Sequence, residues 1–191
     1  MRASSLSCAL LLLLGHGFAD AAQPPFQQTF ESCGVRAWSI HNTVKDAMVG
    51  VPIDKAKAKC VNDYPCEKNA DVVYADLSNK GAQSTYFETL GFLSTCAKHV
   101  SDRYGTATLT AVEATYKDCA ESTAARLVVL LAIQNNDPIT AVRARTGASY
   151  YPLITMLYRI ARESNLTKAA AMSAEEMSSC IERVEAAGRS Q

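Results

Sequence analysis

Across residues 26–48 the apolar positions fall at Phe26, Phe30, Cys33, Ala37, Ile40, Val44 and Met48, at intervals of three and four. That spacing lines one face of an α-helix, which Pro24-Pro25 precedes and Gly50 closes. A short second helix is expected over residues 52–62, since the fixed φ of Pro52 suits a first turn. A third is expected over 69–78, ahead of Gly81. Three Ser/Thr-x-x-Glu pairs follow: Thr85 with Glu88, Thr110 with Glu113, and Ser173 with Glu176. In such a pair the hydroxyl caps the first turn and the carboxylate reaches back, so each predicts a helix start. The first of these helices sets Tyr86, Leu90, Leu93, Ala97, Val100 and Tyr104 on one face and stops at Gly105.

From 122 to 134 the chain is apolar nearly all round, as expected of a central helix buried by its neighbours. Asp137-Pro138 opens a short helix that Gly147 closes, Tyr151-Pro152 opens another, and 173–187 supplies the last. Only TATLT at 106–110 alternates as a strand would. The pattern predicts an all-α, single-domain bundle of about six to eight helices, with no repeat or linker dividing it.

The first 21 residues have a different pattern. Arg2 is followed by an apolar run from Leu6 to Leu14, and small residues stand at Ala19 and Ala21. This is the layout of a secretory signal peptide. It divides the chain into a cleaved leader at 1–21, a helical domain at 22–187 and a flexible tail at 188–191. The next longest apolar run, LVVLLAI at 127–133, has seven residues, far short of the roughly 18–20 that span a bilayer. The expected product is periplasmic or secreted, without stable membrane insertion.

Export changes the meaning of the cysteines. With Cys8 in the leader, Cys33, Cys60, Cys66, Cys96, Cys119 and Cys180 remain. An even set in an oxidising compartment reads as disulfides. A metal centre would need close Cys/His pairs, whereas the chain has no C-x-x-C and His41 and His99 alone beyond the leader. No metal and no cofactor is expected. Cys96 lies nine residues before Gly105 and Cys119 nine after Thr110, so an antiparallel hairpin would bring them to one height. The expected pairings are therefore Cys96–Cys119, Cys33–Cys66 and Cys60–Cys180.

Charge excludes some partners. The chain carries 19 basic and 19 acidic residues, which gives no electrostatic reason to bind nucleic acid or an anionic membrane surface. KAKAK at 55–59 reads as a solvated face. Catalytic motifs such as G-x-S-x-G, H-E-x-x-H and a glycine-rich phosphate loop are absent from the sequence. His41, flanked by Trp38 and Lys45, reads as a boundary histidine packed beside the tryptophan. His99, with Asp102 three residues on, reads as solvent-exposed. Asn165-Leu166-Thr167 fits a glycosylation acceptor.

The best site candidate is RARTGASYYP at 143–152. Arg143, Arg145, Ser149, Tyr150 and Tyr151 cluster there between two helices, and Tyr and Arg dominate binding hot spots. The expectation is a non-enzymatic exported protein that binds another exported or cell-envelope protein as an inhibitor, immunity or accessory factor. The alternative is a carrier whose cavity between helices holds a small apolar ligand or lipid. An enzyme without a recognisable motif ranks third.

Overall fold

A computed structural model describes residues 28–60 and 64–188. The expected leader, Pro24, Pro25, Phe26 and the last three residues of the expected tail lie outside them. Seven α-helices and no strand occur among the described residues: α1 (Phe30–Met48), α2 (Ile53–Lys57), α3 (Tyr64–Tyr104), α4 (Ala111–Gln134), α5 (Ile139–Ala144), α6 (Tyr151–Glu163) and α7 (Leu166–Gly188). The all-α bundle stapled by three disulfides is thus present. The weak strand candidate at 106–110 is an irregular turn.

The periodicity of α1 works as its spacing requires: Phe30, Cys33, Ala37 and Val44 are buried together. α1, α3, α4 and α7 pack on one another around a shared core, and α6 packs on α4 and α7 with α5 against it. Leu90, Leu93, Leu130, Ile154, Leu157 and Ile181 are each at most 1% exposed. Burying a side chain of this size contributes about 1.5–3 kcal/mol, and these six come from α3, α4, α6 and α7. That shared burial is what joins the two halves of the chain.

Gly81 marks a break, as expected, but a kink rather than an end. With φ 78° and ψ 170° it interrupts α3, which is helical on both sides. An L-residue with a side chain rarely adopts that positive φ. The kink divides α3 into a limb at 64–80 and a limb at 82–104.

Only one of the three capping pairs caps a helix. Thr110 Oγ1 accepts from Glu113 N–H at the start of α4, but the Glu113 carboxylate turns away to α1. There it accepts from the backbone N–H of Phe30 at 2.7 Å and of Glu31 at 3.3 Å, where the positive end of the helix dipole favours an anion. Thr85 and Ser173 lie inside helices instead. Their hydroxyls donate to the carbonyls of Gly81 and Ala169 four residues back. α7 begins earlier than Ser173, capped by Asn165, whose Oδ1 accepts from Lys168 N–H at 2.8 Å.

All three expected disulfide pairings are corrected. The bonds are Cys33–Cys96, Cys60–Cys66 and Cys119–Cys180, with Cα–Cα distances of 5.8, 5.6 and 5.8 Å. Cys96–Cys119 fails because equal height in a hairpin does not fix the angle about each helix axis. Cys96 faces α1 and Cys119 faces α7. Cys33–Cys66 and Cys60–Cys180 fail because Cys60 and Cys66 lie close enough to pair with each other, across six residues of sequence. Ser39 Oγ of α1 stands 3.7 Å from Cys66 Sγ.

Candidate functional site

The segment 143–152 is a tight corner between α5 and α6. Arg145 ends α5, and the Thr146 hydroxyl donates to Val142 O at 3.0 Å. Gly147 is extended at φ −67° and ψ 152°, and a single 3-10 turn over Ala148–Tyr150 then leads into α6, with Pro152 in its first turn. Gly147 therefore breaks the helix without needing a glycine's conformational freedom. A Cβ there would approach only Ser149 Oγ, at 3.7 Å.

The structure divides the five candidate residues into different roles. Arg143 is a clamp: its guanidinium donates to Thr155 Oγ1 and lies over the Tyr151 ring, 5.5 Å from the centroid. It ties α5 to α6. Arg145 pairs with Asp137 across the length of α5, and the Asp137 carbonyl accepts from Tyr158 O–H at 2.6 Å. Ser149 is exposed, and Tyr150 and Tyr151 are 43% and 38% exposed. Only Arg145 and Tyr150 of the five line the adjoining groove.

That groove is open, with a volume of about 620 Å³, and runs between the corner and α4. Its α4 wall includes Ala124, Ala125 and Val128, with Glu121 at one end. Val128 and, one turn on, Leu131 are 53% and 41% exposed. Positions 121, 124, 128 and 131 share one helix face by their spacing, so an apolar stripe continues outward from the groove.

These α4 residues were missed because 122–134 reads as buried on every side. The signal was present in LVVLLAI all the same. A helix apolar all round needs cover all round, and α5–α6 cover only part of it.

His41 is 1% exposed, deeper than a boundary histidine. Both it and Trp38 hydrogen-bond to glutamates of α7. Trp38 Nε1 donates to Glu182 at 2.9 Å, while His41 Nε2 lies 3.0 Å from Glu175 Oε2. Lys45 Nζ stands 3.3 Å from the same carboxylate. Burial lowers the His41 pKa below its ordinary 6.5, against the opposing pull of the Glu175 hydrogen bond. The geometry agrees, because Nδ1 has no hydrogen-bond partner. Protonation would place an N–H there with no acceptor, which the core penalises. The hydrogen bond from His41 in turn holds the Glu175 carboxyl below its ordinary 4.5.

Buried at this depth, the His41 ring helps to position the exposed Glu175 carboxylate. His99 is exposed, and Asp102 pairs with Lys98 at 2.5 Å rather than with it. Lysines 57 and 59 of KAKAK pair with Asp71 and Asp46, as a solvated face does. No group of His, Cys, Asp and Glu among the described residues could hold a metal ion.

The sign of the pH effect follows from the lowered His41 value. Below 6.5 the unfolded chain binds a proton that the folded chain resists, so stability falls as pH drops from 6.5 through the lower folded value. Glu175 acts in the same direction at lower pH, its contribution being full above 4.5 and lost as pH falls through its folded value. His41→Gln keeps a donor for Glu175 but cannot charge. Its urea midpoint is therefore expected to stay flat between about pH 7 and pH 5.5, where that of the native protein declines. Parallel curves for the two proteins would remove His41 as the cause.

Comparison with known protein families, characterised proteins and solved structures returns no match to this chain. The groove's own chemistry is thus the guide to what it binds.

Proposed function

We propose that the protein is an exported, non-enzymatic binding protein, and that the groove between α4 and the α5–α6 corner receives an apolar segment of another exported or cell-envelope protein. The observation that carries this reading is the exposure of Val128 beside Tyr150, with Leu131 exposed one turn on, in a chain whose other large apolar side chains from α4 are mostly packed inward. Adjoining exposed apolar side chains rimmed by charge mark interaction sites. Here Glu121 and the Arg145–Asp137 pair supply that rim.

A groove between a helix and a corner suits a partner helix that anchors side chains at helical spacing. Three disulfides support export, and no described helix is long and apolar enough to cross a membrane. Val128 and Tyr150 face an open groove rather than a closed chamber. That favours an interface over a carrier for a small apolar ligand or lipid.

The test is affinity capture from exported proteins with the oxidised chain, followed by affinity measurement on the captured partner. Tyr150→Ala/Tyr151→Ala is expected to weaken binding by about 30-fold, the loss of one hot spot worth roughly 2 kcal/mol. Unchanged affinity in the double variant would rule out the corner as the interface.

A further inference from the structure

A second site lies between α1 and α3, where the two limbs of α3 diverge from the kink at Gly81. Between them and α1 is a cleft of about 220 Å³. Arg36 of α1 and Lys68 of the first limb stand at one end of it, and Ile40, Val72 and Phe92 supply apolar walls. The Arg36 guanidinium is held in place twice. It lies over the Phe92 ring, 5.0 Å from the centroid, and it donates through Nη2 to Oδ1 of the buried Asn69 at 3.2 Å.

Stacking and one neutral acceptor fix the fork without neutralising it. Among the described residues neither Arg36 nor Lys68 has a carboxylate within ion-pairing distance, although ten other lysine or arginine ion pairs form.

The other end of the cleft is already balanced. Lys80 Nζ bridges Asp76 and Glu88, 2.9 Å from each. The two carboxylates are therefore engaged, while the two cations at the far end are not. The Thr85 and Thr89 hydroxyls donate to backbone carbonyls four residues back and so offer an incoming ligand only acceptor capacity.

We propose that this cleft binds a small organic carboxylate with a compact apolar body. Its carboxylate would meet the fork of Arg36 with Lys68 beside it, and its body would lie against Phe92, Val72 and Ile40. Arginine's planar donors match a carboxylate's two oxygens, and preorientation on an aromatic ring lowers the ordering cost of binding. The cleft is smaller than the roughly 300–1,000 Å³ usual for drug-sized ligands. A short-chain or single-ring acid fits that space; a diacyl lipid does not. This inference is independent of the α4 groove.

The test is a titration of the oxidised full chain with phenylacetate, hexanoate, phenylacetamide and inorganic phosphate, followed by backbone amide resonances. Phenylacetate or hexanoate is expected to shift the resonances of Arg36, Lys68, Asn69 and Phe92. The neutral amide should bind at least about tenfold more weakly, as the loss of one charge-assisted contact implies. Arg36→Gln should cost a similar factor. Lys68→Gln, at an exposed position without an ion pair, provides a second variant whose folding is not in question. The proposal is overturned if neither acid shifts these resonances, if acid and amide bind alike, or if phosphate alone matches the acids. It is also overturned if both variants bind like the native chain.

Discussion

Replacing both Cys119 and Cys180 with alanine is expected to lower the unfolding free energy by about 4 kcal/mol. The bond joins α4 to α7 across 61 residues of sequence, so its loss restores a large closure entropy to the unfolded chain. Alanine at position 119 also leaves a void where a side chain 1% exposed had packed. The matching experiment removes Cys60 and Cys66, which close a loop of only six residues' separation. There the expected loss is about 2 kcal/mol, because closure entropy rises only slowly with loop length. Urea unfolding without reductant measures both. Equal losses, or a larger one for the short loop, would mean that loop closure is not what these bonds contribute.

A second large effect is expected at Gly34. This glycine sits inside α1 with ordinary helical geometry, so alanine would by propensity alone stabilise the helix by about 1 kcal/mol. Packing reverses the sign. A Cβ at this position would lie 2.7 Å from Cε1 of Tyr116, with another ring carbon closer still. Tyr116 cannot yield easily, because it is 1% exposed and its hydroxyl donates to Glu185. Burial, and then the Glu185 carboxylate, push its phenol well above the ordinary value, so the donor persists at any working pH.

Overpacking of this kind costs up to about 3 kcal/mol where the contact is this close, and against the propensity gain of about 1 kcal/mol we expect Gly34→Ala to lose about 2 kcal/mol net. In a domain of this size that is a fall in Tm of about 4–8 °C. Combined with Tyr116→Leu, the same substitution should cost much less, since the two side chains share one space. An additive double mutant would show that the clash is not the cause.

The sequence was most informative where one short-range rule controls the outcome. Phe30, Cys33, Ala37 and Val44 are buried because helical spacing puts them on one face. Gly81, Gly105 and Pro152 break or open helices through their own backbone preferences. Thr110 caps α4, yet the same motif at Thr85 and Ser173 lies within longer helices. In those helices the flanking residues continue the backbone hydrogen-bond ladder, and the hydroxyl turns to the carbonyl four residues back.

The disulfides failed for a related reason. Counting residues gives height along an axis, but at about 100° per residue the direction a cysteine faces depends on how the helix is rotated by everything else it packs against. The candidate site shows the same limit. Tyr150 and Arg145 were legible as a corner, whereas Val128 and Leu131 complete it only because α5–α6 leave that face of α4 uncovered. The contact of Arg143 with Thr155 was not legible either, because nothing in RARTGASYYP reveals Thr155 further along α6.

The central claim is that the uncovered face of α4 beside Tyr150 is where a partner protein docks. Site-specific photo-crosslinking in the source organism tests it most directly, with the reactive group placed at Val128 in one strain and at Val49 in another. Both positions are exposed and apolar, at 53% and 78%, but Val49 lies at the end of α1 and does not line the groove. The account predicts a discrete crosslinked adduct from position 128 that is lost when Tyr150→Ala/Tyr151→Ala is added, and none of that mass from position 49. The same adduct from both positions, or from position 49 alone, would contradict it.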